Sequence, residues 1–362
     1  MTRKIHDLFL ILIITGWLTP ALFAQSGSLL EYRAPDGTTA TVTNMAEWEE
    51  KRWQILANVQ KVMGELPDRS RLDSPEVFVR DTLSTDRYER YLIYYTAREG
   101  ELIPAYLYIP HRKGTDGTLP AMIALHETGP PGKDIADGAR PNLGYGKELA
   151  ERGYVVLAPD FPGFGELEAY DFENDGYLSG SMAGIFNHMR GVDLLQDRDD
   201  VDGDRIGTIG HSLGGYNSMF LAAFDPRIKV VVSSAGWNQF DYYRTDTTGL
   251  ENWASRYHMP LIQERFDLDL EQMPFNFHDI IGAIVPRPFF SNSPVGDDIF
   301  DFAGVPPGIE LVREAYRFLE VEENLQLRTP NVAHSFPTEI RREAYRFIDH
   351  HLNHVPGRHE IE

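Results

Sequence analysis

The sequence contains no cysteine among its 362 residues. This absence excludes disulfide bonds, zinc–thiolate sites, a cysteine nucleophile and N-terminal lipidation at a lipobox cysteine. Basic residues are scarce as well: 34 lysines and arginines stand against 55 aspartates and glutamates, and the formal net charge is −21. A chain this negative repels phosphate backbones and anionic lipid. We therefore expect no nucleic-acid partner and no stable membrane association.

Long apolar runs are also missing, and the run over residues 8–18 is too short to span a bilayer comfortably. It follows the basic Arg3 and Lys4 and precedes a small residue, Ala24, that suits cleavage. This order is typical of a secretory signal peptide, which we predict over residues 1–24, with an uncleaved anchor as the alternative. The mature protein is then expected to be secreted or periplasmic.

What is present is an alternation of short apolar runs and helical patterns, which predicts an α/β fold with a mostly parallel central sheet and helices on both faces. We divide the chain into a lead-in helix with early strands (25–100) and a main domain (101–355). The connection over residues 237–286 is far longer than usual and predicts a cap insertion. Its aromatic residues could bind substrate or pack the cap itself. The predicted strands are 77–83, 90–96, 102–109, 121–125, 154–158, 206–209, 230–233, 288–291 and 325–328.

The strongest motif is Gly-x-Ser-x-Gly, formed by Gly210, Ser212 and Gly214. A predicted strand (206–209) leads into it and a predicted helix (213–224) follows. A serine on such a tight strand-to-helix turn has its hydroxyl raised above the sheet, where it can act as a nucleophile. The alternative is a glycine-rich turn with a solvated serine.

A serine hydroxyl is a poor nucleophile unless a base activates it and a carboxylate orients that base. In this architecture the acid and then the histidine follow the serine, each on a loop after a later strand. Asp297 and Asp298 stand side by side after one such strand; we prefer Asp297 and keep Asp298 as the alternative. His334 lies between the last strand and the final helix and is the predicted base.

An oxyanion hole needs two backbone N–H groups that point at the developing charge. Leu213, directly after the serine, is the first predicted donor, and Thr128, in the loop after the strand 121–125, is the second. Glu127 is an unusual neighbour for a developing anion, and the sequence leaves open whether it faces the pocket.

Together these motifs resemble the α/β-hydrolase superfamily over roughly residues 102–352. The phrase 158–165 belongs to this resemblance as well, and the phrases 53–67 and 103–107 are similar to the secreted branch of acetyl xylan esterases and dienelactone-hydrolase-like proteins. The resemblance implies an eight-stranded sheet, no cofactor and hydrolysis of an acyl bond. Dienelactone hydrolases proper use a cysteine, which is missing here, so their lactone chemistry does not carry over. The Asp-rich segment 197–204 lacks calcium-loop spacing, and we predict no metal.

We therefore predict a secreted serine esterase that acts on a small-molecule or polysaccharide ester, with an acylated plant polysaccharide favoured by the resemblance. Two alternatives remain. One is a serine peptidase of the prolyl oligopeptidase type, although the chain before residue 102 is short for the propeller that such enzymes usually carry. The other is a binding protein on a hydrolase fold, which the presence of both Ser212 and His334 disfavours.

Overall fold

The computed structural model describes residues 28–111, 117–243 and 249–356. The predicted signal peptide lies outside these residues. In the described part of the chain, no helix has both the length and the apolar character needed to cross a membrane.

The strands are β1 Glu31–Arg33, β2 Thr39–Thr41, β3 Val77–Ser84, β4 Tyr88–Thr96, β5 Leu102–Pro110, β6 Leu119–Leu125, β7 Val155–Pro159, β8 Val201–His211, β9 Ile228–Ser234, β10 Phe289–Asn292 and β11 Leu325–Arg328. The α-helices are α1 Met45–Met63, α2 Tyr145–Glu151, α3 Gly180–Gln196, α4 Leu213–Phe224, α5 Leu261–Phe266, α6 Phe277–Gly282, α7 Val305–Phe318 and α8 Thr338–His351.

Strands β3 to β11 form one nine-stranded sheet in the order β11-β10-β9-β8-β6-β7-β5-β4-β3. The six strands from β11 to β7 in this order pair in parallel, and β5, β4 and β3 continue the sheet by antiparallel pairing. The predicted α/β fold with a mostly parallel sheet is confirmed. The strand count differs from the eight that the resemblance implies, because β3 adds an edge strand to β4.

The central strands are apolar on both faces because helices cover both faces of the sheet. In β6, Ala121, Ile123 and Leu125 point into the larger core, which α1, α3, α4, α6 and α7 close. The alternate residues Met122 and Ala124 point into a second core, which α2 and α8 close. This arrangement holds the carboxyl ends of β6, β8, β10 and β11 at one edge, where ligands bind in open α/β sheets.

The lead-in helix packs against the main domain. Asn44 caps its start by accepting a hydrogen bond from the Glu47 amide. Trp48 is fully buried and its indole Nε1–H donates to the Val285 carbonyl at 3.5 Å. The Arg52 Nε–H donates to a carbonyl in the same segment, that of Ala283, at 2.9 Å. The early strands and this helix therefore share the core of the main domain.

The segment 237–286 contains α5 and α6 and extends the larger core. Phe240, Trp253 and Phe277 are almost completely buried. Trp253 stacks on Tyr216 of α4 at a centroid distance of 5.2 Å. These aromatic rings therefore pack the insertion onto α4, which is the second of the two roles that the sequence left open.

Candidate active site

Ser212 lies on a strained turn between β8 and α4. Its φ of 54° and ψ of −119° are unusual for a residue with a Cβ, and such strain is kept where a site needs it. Two backbone hydrogen bonds hold the turn: the Ser212 amide donates to the Ser234 carbonyl at 2.8 Å, and the Tyr216 amide donates to the Ser212 carbonyl at 2.9 Å. Strand, turn and helix thus fix the serine where the sequence motif predicts it.

The glycines on either side of the serine are required by close backbone contacts. A Cβ built on Gly210 would overlap the backbone of Gly214. A Cβ on Gly214 would overlap the Leu125 carbonyl at the end of β6, and one on Gly215 would lie 2.8 Å from the Ser234 carbonyl oxygen. The small residues therefore let α4 start directly against β6 and β9.

Asp297 and His334 form the hydrogen bond expected of an acid and its histidine. The His334 Nδ1–H donates to Asp297 Oδ2 at 2.8 Å. The other carboxylate oxygen, Oδ1, accepts from the amides of Ile299 and Phe300 at 2.9 Å each. Asp297 is buried, whereas the side chain of the alternative, Asp298, is exposed. The structure therefore brings the preferred carboxylate to the histidine.

The imidazole of His334 is held between two rings. Phe300 stacks on one side at a centroid distance of 6.0 Å and an interplanar angle of 11°. His211, the residue before Ser212, contacts it at a centroid distance of 4.7 Å. His334 Nε2 is buried and has no hydrogen-bond partner among the described residues. A free ring nitrogen is thus available beside the serine turn.

The two predicted oxyanion donors lie on elements that meet at the serine. Leu213 is the first residue of α4, where helix geometry leaves the amide N–H without an intrahelical partner. Thr128 follows β6, and the loop that carries it is held by His126. The Phe161 amide donates to His126 Nε2 at 3.0 Å, so Nδ1 carries the proton and donates to the Glu127 carbonyl at 2.7 Å. Burial lowers the pKa of His126, which keeps this ring neutral.

A buried ion cluster lies at the segment that follows this loop in the chain. Lys133 Nζ contacts Asp160 Oδ2 at 2.9 Å and Glu166 Oε1 at 2.6 Å. The fully buried Asp160 also accepts from the amides of Lys133 and Glu166, at 2.7 Å and 3.1 Å. Burial is the largest single effect and opposes the lysine's charge, but Asp160 and Glu166 together outweigh it and raise the pKa of Lys133. The segment after the oxyanion loop is therefore tied to the loop that follows β7.

The side chain of Glu127, whose direction the sequence left open, points toward the predicted base. It forms an ion pair with Arg140, and its Oε2 lies 3.7 Å from His211 Nε2. Oxygen and nitrogen atoms of Glu127, His211 and His334 all lie within 4.8 Å of one another. Sequence reasoning missed Arg140 and His211: the second sits inside the serine motif, but nothing in the sequence marks the first.

Among the described residues, the side chains of Glu127, His211 and His334 form a group whose spacing suits a metal ion. Two imidazoles and one carboxylate are donors that Zn²⁺ accepts. The guanidinium of Arg140 already occupies the carboxylate, however, and His334 is engaged by Asp297. The donors present are therefore arranged for hydrogen bonding and ion pairing.

A nucleophile turn after a parallel strand, an Asp–His pair on two later loops, and a sheet of this order define the α/β-hydrolase fold. The chain has this fold, as the motifs predict. The model of the prolyl oligopeptidase family matches residues 146–268, which include the serine turn.

Individual relatives agree with this class. The "Putative hydrolase YtaP" of Bacillus subtilis is 29% identical over 319 residues, which cover 83% of this chain and 98% of the relative. Carbohydrate esterase MZ0003, from an unknown prokaryotic organism, is 24% identical over 234 residues, 60% of this chain and 50% of that protein. Among solved structures, a glucuronoyl esterase from Solibacter usitatus superposes with a TM-score of 0.67 at 16% identity, covering 91% of this chain and 97% of the other. The protein is therefore a hydrolase of the α/β-hydrolase type.

Proposed function

We propose that the protein is a secreted or periplasmic serine carboxylic-ester hydrolase that deacylates a plant polysaccharide or a related acyl ester. One observation carries the proposal. The Asp297–His334 hydrogen bond, 2.8 Å long, lies beside the serine turn, because the His334 ring contacts His211, the residue before Ser212. Nucleophile, base and orienting acid thus come from three loops at one edge of the sheet.

In the proposed reaction, the Ser212 hydroxyl oxygen attacks the ester carbonyl carbon while His334 Nε2 takes the hydroxyl proton. The amides of Leu213 and Thr128 stabilise the oxyanion that forms. The C–O bond to the alcohol then breaks, and the imidazolium gives its proton to the leaving oxygen. Water, activated by His334, attacks the acyl-enzyme and releases the acid and the free serine. Asp297 keeps the proton on Nδ1 throughout, so that Nε2 is free to act as a base.

The carbohydrate substrate is supported by the family resemblance and by the relative named as a carbohydrate esterase. An ester is cleaved more readily than an amide at a site of this kind, because an alkoxide leaves more readily than an amide anion. A series of esters that differ in the acyl group, and a second series that differ in the alcohol, would identify these two parts of the substrate.

The test is hydrolysis of p-nitrophenyl acetate and of acetylated xylan by the wild type and by Ser212→Ala. We expect the variant to lose turnover by about a thousandfold or more while its melting temperature stays close to that of the wild type. Turnover of no ester by the wild type would overturn the esterase proposal. A fluorophosphonate probe that labels Ser212 separates an active hydrolase from a binding protein on this fold.

A peptidase of the prolyl oligopeptidase type is the second candidate, and the family match over residues 146–268 is the observation that favours it. A panel of chromogenic peptide amides, run beside the esters with the same two proteins, distinguishes the two. Ser212-dependent cleavage of amides without cleavage of acetyl esters would replace our proposal by this one.

A further inference from the structure

Glu127 brings a carboxylate to the reacting centre, although its loop is predicted to stabilise an anion. Its side chain is only 11% exposed. One of its oxygens lies within 4.8 Å of ring nitrogens of both His211 and His334. A group bound to Ser212 and His334 would therefore lie within reach of this carboxylate, and the field of its charge is only weakly screened at such a buried position.

Hydrogen bonds from Asn292 through Ser234 orient the His211 ring, which faces the carboxylate. Asn292 Nδ2–H donates to Ser234 Oγ at 2.8 Å, and Ser234 Oγ lies 2.9 Å from His211 Nδ1. Burial, and next the neighbouring His334, lowers the pKa of His211 well below its ordinary value, so the ring is neutral. If Ser234 donates to Nδ1, the ring proton is on Nε2, where it faces Glu127 Oε2 at 3.7 Å. This tautomer attracts the carboxylate, whereas the other would present a lone pair to it.

Arg140 pairs with the same carboxylate from the solvent side. Its guanidinium contacts Glu127 Oε1 and donates to the Thr128 carbonyl at 3.2 Å, and its side chain is 39% exposed. Gly129 makes room for it, since a Cβ there would overlap the guanidinium. The negative end of the pair is thus buried beside the predicted base, and the positive end is the more exposed of the two.

We propose that the Glu127–Arg140 pair selects substrates by charge: it favours esters with neutral, hydroxyl-bearing or acetyl-like groups beside the carbonyl and rejects esters with a carboxylate there. The carboxylate of Glu127 can accept hydrogen bonds from hydroxyl groups and repels anions, and one of its oxygens lies within 4.8 Å of a ring nitrogen of the predicted base, His334. This inference rests on the proposed ester hydrolysis at Ser212 and names its substrate class.

The test compares two substrates that share a leaving group, p-nitrophenyl butyrate and mono-p-nitrophenyl succinate, which differ by a terminal methyl or carboxylate. The readout is the ratio of kcat/KM for the neutral ester to that for the anionic one. We expect Glu127→Gln to lower this ratio by about tenfold, because a repulsive charge is removed. Arg140→Gln is expected to raise the ratio, because it leaves Glu127 without its counter-charge. A purely structural defect slows both substrates alike and leaves the ratio unchanged.

Asp86→Asn is the matched control, since it removes one exposed negative charge at the β3–β4 turn, on the sheet edge opposite Ser212. For Asp86→Asn, the ratio of kcat/KM for the neutral ester to that for the anionic ester should equal that of the wild type. An unchanged ratio in Glu127→Gln and Arg140→Gln would overturn the inference and leave the esterase intact. A ratio that rises in Glu127→Gln would also overturn the inference, because removal of the negative charge would then have disfavoured the anionic ester. Absence of any Ser212-dependent ester turnover would remove the proposed function itself. If Glu127→Gln does not fold, Arg140→Gln, altered at a half-exposed side chain, carries the test alone.

Discussion

The serine turn and the oxyanion loop lie side by side at the same edge of the sheet, yet they are held in different ways. Gly210, Gly214 and Gly215 in the serine turn meet backbone so closely that none of them has room for a Cβ. The loop 126–129 is held by contacts with residues outside it: the Phe161 amide donates to His126 Nε2, and Arg140 pairs with Glu127 and donates to the Thr128 carbonyl. A contiguous sequence motif therefore marks the serine turn, whereas the loop 126–129 depends on residues that are dispersed along the chain and that no motif connects. Substitutions in the two regions should therefore fail differently.

The largest effect is expected for Gly214→Ala. An alanine in a helix is usually more stable than glycine by about 1 kcal/mol. Here its Cβ would overlap the Leu125 carbonyl, so we expect a loss of about 3 kcal/mol or more, or no soluble protein. Denaturant unfolding measures this, with Gly203→Ala as the control, because a Cβ on Gly203 meets only ordinary contacts from 3.4 Å outward. Equal stability of the two variants would contradict the close approach of α4 to β6.

Asp297→Asn should leave the fold in place and remove most of the activity. The amide can still accept from the Ile299 and Phe300 backbone, but it no longer favours a proton on His334 Nδ1. We expect kcat on a p-nitrophenyl ester to fall by about a thousandfold or more. Asp298→Asn, one residue on and exposed, should leave kcat almost unchanged. The reverse result would make Asp298 the triad acid.

Lys133→Met tests the support of the oxyanion loop. The substitution leaves the fully buried Asp160 without its cation, and we expect a loss of about 3 kcal/mol in the free energy of unfolding. Because the loop is loosened, kcat should fall as well. Lys61→Met, at an exposed lysine of α1, is the control and should change neither quantity noticeably. Stability equal to that of the control would show that the cluster does not hold the loop.

The smallest effect is expected for Tyr145→Phe. The Tyr145 hydroxyl donates to the Leu125 carbonyl at 2.5 Å, next to the oxyanion loop, and the ring itself lies in the second core. Loss of one buried hydrogen bond should reduce the free energy of unfolding by about 1 kcal/mol, with a small decrease in kcat. Tyr242→Phe, at a side chain 38% exposed, provides the comparison. A variant as stable as Tyr242→Phe would mean that this hydrogen bond contributes no net stability.

Much of the architecture could be predicted from local patterns. The helix predicted over 213–224 is α4 as observed, and the strands 77–83 and 325–328 match β3 and β11 to within a residue. Apolar runs suffice for the central strands, because a strand covered on both faces has few polar residues. The sequence analysis did not single out α3, almost every residue of which is buried. A helix buried nearly all round lacks the amphipathic period by which helices are recognised.

For the candidate site, the order of Ser212, Asp297 and His334 followed from the chain, because loops after successive parallel strands meet at one edge. The choice between Asp297 and Asp298 did not follow from the chain, because the same sequence is compatible with either carboxylate pointing toward the histidine. The amides of Ile299 and Phe300 decide it by binding Asp297 Oδ1 and leaving Oδ2 for the histidine.

The sequence by itself determined the central strands, the helices other than the fully buried α3, the serine turn and the residue types of the site, because these depend on periodicity and on backbone sterics within a few residues. Only the tertiary structure decided the direction of Glu127, its pairing with Arg140 and the contact between His211 and His334. These contacts join residues that are far apart in the chain or that become neighbours only when the strands are aligned. Their energies depend on distance and burial, which exist only once the chain has folded.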